Sequence, residues 1–257
     1  MVDTRSAATS AHDNAWFERA ARAGYAASGL MHLLIAWIVV QLALGDGGNA
    51  DQSGALATLA AQPGGAAMLW VAAVVLAALG LWQLAETFVE RDAKDRVKAL
   101  AVGVVYLGLA FSAAKFAMGS GQSSTSQNAG LSARMMQSAL GVAVLIAVAL
   151  VLIGVGGYHV YKGVTKSFLD ELSVSGNQAV TWTGIVGYVA KGLVLIGAGI
   201  LVVIATLTSD PAKASGVDAA VKALGNAPFG KFLLILAAVG LAAYGAYGFI
   251  RARYAKM

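Results

Sequence analysis

Six apolar stretches, each about as long as a helix that crosses a membrane, constrain this chain more than any other feature. They lie near residues 23–44, 66–88, 97–119, 136–161, 183–207 and 229–250. About 20 mostly apolar helical residues span a hydrocarbon core of about 30 Å. A helix is predicted because hydrocarbon offers no partner to an unpaired backbone group. Only 12% of the residues are charged, whereas soluble domains average about 25%. The sequence therefore predicts an all-α integral membrane protein with six transmembrane helices.

Lysine and arginine residues predict the orientation of these helices. Four segments are basic: the N-terminal segment, the loop after span two, the segment after span four and the C-terminus. They alternate with the segments 45–65, 120–135 and 208–228, which hold fewer such residues. Cytoplasmic loops carry an excess of Lys and Arg. We therefore expect both termini in the cytoplasm.

Short motifs recur along the chain. The odd-numbered spans open with Gly, four further residues and then Gly-Leu. The paired glycines are Gly24 and Gly29, Gly103 and Gly108, and Gly187 and Gly192. The even-numbered spans close with Gly, any residue, an aromatic residue and a charge four positions later, at Gly80 to Glu86, Gly156 to Lys162 and Gly245 to Arg251. Recurrence at a fixed spacing indicates a repeat architecture, here three copies of a two-helix hairpin.

These motifs give the chain a resemblance to a known bacterial membrane family. The segments 51–56, 62–64 and 80–82 carry the likeness, with sequences Asp-Gln-Ser-Gly-Ala-Leu, Gln-Pro-Gly and Gly-Leu-Trp. The chain resembles the family named domain of unknown function 1206, which implies three tandem two-helix units and no particular activity. Parallel repeats of this kind are related by an axis along the membrane normal, so we expect pseudo-threefold symmetry. The predicted parts are a disordered polar tail at 1–15 and hairpin repeats at 16–92, 93–168 and 169–257.

Small residues predict where the helices touch. Close backbone approach, rather than burial alone, holds membrane helices together. We therefore expect helix contacts at the six motif glycines of the odd-numbered spans: Gly24, Gly29, Gly103, Gly108, Gly187 and Gly192. A ligand groove lined by bare backbone is the alternative interpretation of the same residues.

Three charged residues hold equivalent places near the predicted cytoplasmic ends of the even-numbered spans: Glu86, Lys162 and Arg251. Around a pseudo-threefold axis they could form a charge network that acts as a clasp or gate. The alternative is that each side chain separately reaches the headgroups, as long charged side chains at helix ends commonly do.

Two further polar residues lie inside predicted spans, where ionisable groups are costly and usually have a partner or a role. His32 is nine residues into span one, or about 13 Å at 1.5 Å per residue. It could relay protons, contact a quinone or bind haem, or simply hydrogen-bond a neighbouring helix. Lys191 lies about a third of the way into span five, where an ion pair or a lipid phosphate could hold it.

Recognised catalytic and metal-binding patterns are missing from the sequence. It has no Cys, no phosphate-binding loop, no paired metal-binding histidines and no nucleophile elbow. We therefore expect a non-enzymatic protein without a cofactor or metal, whose partners are the lipid bilayer and other membrane subunits rather than nucleic acid. The leading interpretation of the sequence is that the protein is an accessory or scaffold subunit of a membrane assembly, or a lipid-binding protein. The alternatives are a small transporter or channel, and a redox-associated subunit that holds quinone, haem or carotenoid.

Overall fold

The structure is a computed structural model that describes residues 15–89, 92–174 and 177–256. The predicted polar tail lies almost wholly outside the described residues. The described residues form nine α-helices: α1 Ala15–Leu44, α2 Gln52–Ala60, α3 Gly65–Val89, α4 Ala93–Ala117, α5 Ser124–Met135, α6 Ala139–Val164, α7 Gln178–Thr208, α8 Val217–Gly225 and α9 Gly230–Tyr254. Two short 3-10 helices, Ser167–Glu171 and Pro211–Ala214, lie between them.

Six of these helices are long and apolar enough to cross a membrane: α1, α3, α4, α6, α7 and α9. This confirms the predicted all-helical class and the six predicted spans. Helix α7 begins five residues before the predicted window. Asn177 explains the earlier start, because its Oδ1 accepts a hydrogen bond from the Ala179 N–H at 2.9 Å. Such a cap satisfies backbone donors that the first helical turn leaves unpaired.

The segments between the spans are more helical than the sequence indicates. Polar composition predicts a break across residues 119–128, yet α5 begins at Ser124 and continues to Met135. Hydrogen bonds from its polar side chains explain this helix. The Asn128 Nδ2 donates to the Ser215 carbonyl at 3.2 Å, so the polar residues of α5 join neighbouring loops.

The chain divides into two compact units: unit 1 comprises residues 1–51 and 125–257, and unit 2 comprises residues 52–124. In unit 2, α3 packs against α4 through glycines. A Cβ added to Gly80 would lie 2.8 Å from the Leu107 side chain, and one on Gly103 would lie 3.1 Å from the Gly80 carbonyl oxygen. Such close approach is typical of packed membrane helices.

In unit 1, three helix pairs meet through glycines. For α6 and α7, a Cβ on Gly192 would lie 2.6 Å from the Gly156 oxygen. For α9 and α1, a Cβ on Gly29 would lie 2.7 Å from the Gly245 oxygen. For α7 and α9, a Cβ on Gly187 would lie 2.6 Å from the Tyr244 Cα. The four helices are therefore linked in the order α6, α7, α9 and α1.

The packing contacts predicted at the glycines of the odd-numbered spans are not uniform. Gly29, Gly103, Gly187 and Gly192 approach a neighbouring helix as described above. The prediction does not extend to Gly24 or Gly108, because a Cβ at either position would meet no atom within 4 Å. Each of these two glycines lies on an exposed side of its helix.

A further set of glycines, which the sequence motifs do not include, begins the even-numbered spans. In each, an added Cβ would collide with a carbonyl oxygen of the preceding helix, at 1.8–2.0 Å. The pairs are Gly65 with Leu59, Gly141 with Met135, and Gly230 with Gly225. No real Cβ atom fits at these distances, so each turn into an even-numbered span requires glycine.

Candidate functional site

Polar and aromatic side chains from the four long helices of unit 1 lie side by side within the predicted membrane region. They come together because the glycine contacts bring the backbones of these helices close. Helix α7 contributes Tyr188 and Lys191, α9 contributes Tyr244, and α1 and α6 contribute His32 and His159. We call these five residues the membrane cluster.

The two histidines of the cluster are held in the same way. The His32 Nδ1 lies 2.7 Å from the Ser28 carbonyl oxygen, and the His159 Nδ1 lies 2.8 Å from the Val155 carbonyl oxygen. A carbonyl only accepts hydrogen bonds, so Nδ1 carries the proton in both rings. In a neutral imidazole the Nε2 atom is then an acceptor. Both rings therefore keep Nε2 for another partner.

Tyr244 connects the members of the membrane cluster. Its ring centroid lies 4.7 Å from that of His32, 6.4 Å from that of His159 and 5.3 Å from that of Tyr188. The Lys191 Nζ lies 4.1 Å from the Tyr244 ring centroid. A cation over an aromatic face is attracted by the ring quadrupole. Among the described residues, Lys191 forms no ion pair.

Lys191 thus does not form, among the described residues, the ion pair suggested by the sequence, and its contact with a lipid phosphate stays a prediction. It lies 13 residues into α7, or about 20 Å along the helix axis, and its side chain is partly buried. The sequence suggests a hydrogen bond from His32 to a neighbouring helix, but its Nδ1 bonds within α1 and its ring packs on Tyr244 of α9.

Aromatic rings continue from the membrane cluster toward the end of unit 1 that carries Lys162, Arg251 and the chain's C-terminus, here called the basic end. Phe168 stacks on Tyr188 with ring centroids 5.4 Å apart. Tyr247 is 1% exposed, and its hydroxyl donates to the Phe168 carbonyl at 3.1 Å. The rings of Tyr188 and Tyr247 lie 5.3 Å apart. These rings fix the position of the 3-10 helix Ser167–Glu171 against α7 and α9.

Glu171, at the end of that 3-10 helix, joins two of the three charged residues predicted as a network. Its Oε1 pairs with the Lys162 Nζ, and its Oε2 lies 3.3 Å from the Arg251 Nη2. The third predicted member, Glu86, has a side chain outside the described residues, so its part in the network stays a prediction. The sequence shows only that an acidic residue follows Lys162 by nine positions, which does not indicate that the two side chains meet.

The other side of the membrane cluster is apolar. Beyond His32, α1 packs on α9 and α8 through a buried group that includes Val39, Val221, Leu234 and Leu241. Val39 is fully buried, and Val221 and Leu241 are at most 4% exposed. Packed aromatic rings therefore join the membrane cluster to the charged side chains of the basic end, and close apolar packing follows on the opposite side.

A second polar group closes the opposite end of unit 1. Asp218 of α8 is fully buried. It accepts hydrogen bonds from the Ala50 N–H at 2.8 Å, the Thr125 hydroxyl at 3.0 Å and the Lys222 Nζ at 2.7 Å. The Thr125 hydroxyl also lies 3.2 Å from an oxygen of Asp51. Asp218 thus holds three loop segments together, and we call this group the loop clasp.

Metal binding has no support in the part of the chain that the structure describes. Within those residues no group of three or more His, Cys, Asp or Glu side chains could hold a metal ion.

Comparison with known proteins places the repeats in a family. A family model described as Domain of Unknown Function (DUF1206) matches the chain three times in tandem, over residues 23–90, 97–166 and 186–255. The chain belongs to the DUF1206 family. It is also similar to "Uncharacterized protein YxxB" of Bacillus subtilis (strain 168), at 27% identity over 94% of this chain and 92% of that protein. No solved structure matches it. The predicted family resemblance is confirmed.

The DUF1206 matches also correct the alignment of the middle repeat. Gly29, Gly103 and Gly192 each lie six residues after the start of their matched regions. These are the glycines of α1, α4 and α7 that contact the closing glycines of α9, α3 and α6. The motif comparison aligned Gly108, rather than Gly103, with Gly29 and Gly192. The motif alignment of the middle repeat is therefore wrong by five residues. Gly108 is not the equivalent of Gly29 and Gly192, which explains why no neighbouring helix approaches it.

Proposed function

We propose that this DUF1206 protein is a non-enzymatic carrier for a small anion in the bacterial inner membrane. The observation that carries the proposal is Lys191, a cation at membrane depth that packs on Tyr244 and forms no ion pair among the described residues. A lysine at the centre of a membrane helix costs about 2.5–3.5 kcal/mol. A bound anion would offset that cost.

The balance of charge supports an anion rather than a cation. Around the membrane cluster and the ion pairs of the basic end, Lys162, Lys191 and Arg251 contribute three positive charges and Glu171 contributes one negative charge. His32 and His159 add hydrogen-bonding capacity without a fixed charge. An anion that enters from the basic end would pass the Lys162 and Arg251 side chains before it reaches Lys191.

The apolar packing beyond His32 supports a carrier rather than an open channel. Polar groups reach the membrane cluster from one side only, and the contact of α1 with α9 and α8 closes the other side. Transport then requires a second arrangement in which this contact opens, as in alternating access between repeats.

We further propose that the three repeats are parallel, are related by a pseudo-threefold axis along the membrane normal, and keep both termini in the cytoplasm. Equivalent glycine contacts join the second long helix of each repeat to the first long helix of another, in the pairs α3 with α4, α6 with α7 and α9 with α1. The alternation of basic segments supports the orientation.

The native chain has no cysteine, so single-cysteine labelling in intact cells tests this topology cleanly. A membrane-impermeant maleimide should label Gly47→Cys, Ser120→Cys and Lys213→Cys, which are exposed positions in the three sparsely basic loops. It should not label Lys94→Cys until the cells are opened. Equal labelling of Gly47→Cys and Lys94→Cys in intact cells would refute the proposed topology.

The other functions suggested by the sequence have less support. A scaffold or lipid-binding role is motivated by exposed apolar side chains such as Leu140 and Leu207, but a bilayer covers such side chains in any membrane protein. A redox-associated role would use the same His32 and Tyr244. It would leave the charge of Lys191 uncompensated, so we favour the carrier.

Transport into liposomes tests the carrier directly. The purified protein is reconstituted, and uptake of radiolabelled chloride, phosphate, sulfate and lactate is compared with uptake by empty liposomes. We expect uptake of at least one of these anions, its loss in Lys191→Met and its retention in Lys231→Met, where an exposed lysine of α9 is removed. The proposal fails if none of the four anions enters faster than in empty liposomes, or if Lys191→Met transports like the native protein.

A further inference from the structure

The contacts of Glu171 at the basic end carry an inference about the class of anion, and this inference rests on the proposed function. The carboxylate of Glu171 is held by Lys162 on one oxygen and lies 3.3 Å from Arg251 on the other. A carboxylate between an ammonium and a guanidinium is the arrangement by which proteins bind free carboxylates. Glu171 therefore fills a position that suits a carboxylate ligand.

Several features distinguish this position from a permanent structural ion pair. The Glu171 side chain is 41% exposed, whereas those of Lys162 and Arg251 are 11% and 23% exposed. The two cations are thus less exposed than the Glu171 side chain. The Oε2 atom of Glu171 is nevertheless buried, and it has no hydrogen-bond partner in the described residues. The 3.3 Å contact does not form an aligned hydrogen bond, and the Arg251 Nε has no acceptor in the described residues although it is buried.

The two cations are positioned independently of Glu171. The Arg251 Nη2 donates to the Tyr25 hydroxyl at 3.2 Å, and its guanidinium lies 4.2 Å from the Tyr25 ring centroid. The Lys162 Nζ lies 5.3 Å from the Tyr188 ring centroid. A guanidinium binds a carboxylate best through two parallel N–H donors, and Arg251 has donors to spare for such a pair.

We infer that Lys162 and Arg251, with Tyr25 orienting Arg251, form an entry subsite for the carboxylate group of the transported anion, which Glu171 occupies until a substrate displaces it. The substrate class is then a small organic carboxylate. When one carboxylate replaces another, the charge at the subsite stays the same. Lys162 and Arg251 are then never left side by side without an anion, which would cost free energy. The subsite lies on the route from the basic end to Lys191.

Chemical rescue with acetate tests this subsite. Glu171→Ala removes the resident carboxylate, and acetate should replace it. We expect acetate to bind the purified Glu171→Ala variant about tenfold or more tightly than the native protein, measured as a saturable rise of the melting temperature with acetate concentration. Acetamide, which has the same shape without the charge, should have no such effect. Asp170→Ala, at the neighbouring exposed position, should behave like the native protein.

A second variant protects the test against misfolding. Glu171→Gln keeps the shape of the side chain and removes its charge, so it should fold even where Glu171→Ala does not, and it should also bind acetate more tightly than Asp170→Ala. The inference is overturned if acetate stabilises neither Glu171 variant more than it stabilises Asp170→Ala. Acetate rescue without any anion uptake in liposomes would retain the subsite and reject the carrier. Uptake without rescue would retain the carrier and reject the subsite.

Discussion

The two ends of unit 1 both contain a carboxylate beside basic residues, but they satisfy it to different degrees. Asp218 in the loop clasp is fully buried and has three donors within 3.0 Å. Glu171 at the basic end is 41% exposed, and its contact with Arg251 is 3.3 Å long without an aligned hydrogen bond. A buried carboxylate with all its partners in place holds loops together. A half-exposed carboxylate with an incomplete set of partners can be exchanged.

This difference also shows why similar residue types cannot be ranked as functional from sequence alone. Asp218 and Glu171 each lie just outside a predicted span, near a lysine. Sequence spacing indicates that Asp218 and Lys222 share a helix face, since they are four residues apart. The sequence gives no indication that the Ala50 N–H and the Thr125 hydroxyl are the other hydrogen-bond donors to Asp218. Burial and partner number decide the role, and both depend on the tertiary structure.

The first way to break the comparison is to remove each carboxylate in turn and measure the free energy of unfolding in mixed micelles. Asp218→Ala should cost about 3 kcal/mol or more, because it leaves the Ala50 N–H and the Thr125 hydroxyl without their acceptor and removes the partner of Lys222. Glu171→Ala should cost less, about 1–2 kcal/mol, because the Glu171 side chain is 41% exposed and water can reach Lys162 and Arg251 once it is removed. The comparison fails if the two substitutions cost the same, or if Glu171→Ala costs more.

Much of the architecture could be predicted from the sequence, because hydrophobicity along one chain is sufficient to locate membrane helices. The six spans follow from such patterns, and the structure has a long apolar helix at each of them. Lys162 and Arg251 could be predicted as related because their motifs repeat. Their common partner Glu171 could not, because it lies in a short 3-10 helix whose position depends on the packing of Phe168 on Tyr188 and Tyr247.

The glycines show the same limit in another form. A sequence motif does not show toward which neighbour a glycine faces. Whether another helix approaches that glycine depends on the face of the helix on which it lies. Gly24 and Gly29 belong to one motif, yet only Gly29 faces α9. The turn glycines Gly65, Gly141 and Gly230 were missed because the requirement for them comes from a carbonyl oxygen at the end of the preceding helix, which no local pattern reveals.

Two glycines of α1 extend the comparison to the region between the two ends of unit 1, where helices pack closely without charged side chains. Their substitution by alanine should change stability by smaller amounts and in opposite directions. In Gly29→Ala the new Cβ would lie 2.7 Å from the Gly245 oxygen, so α1 and α9 must separate, and we expect a loss of about 1–3 kcal/mol. Gly24→Ala should instead stabilise the protein by about 0.5–1 kcal/mol, since alanine favours helix over glycine and open space surrounds this position. Unfolding in mixed micelles measures both changes. If the two substitutions changed stability in the same direction, backbone contact at Gly29 would not be what holds α1 against α9. The membrane cluster depends on that contact to bring His32 to Tyr244, so its formation would then require another explanation.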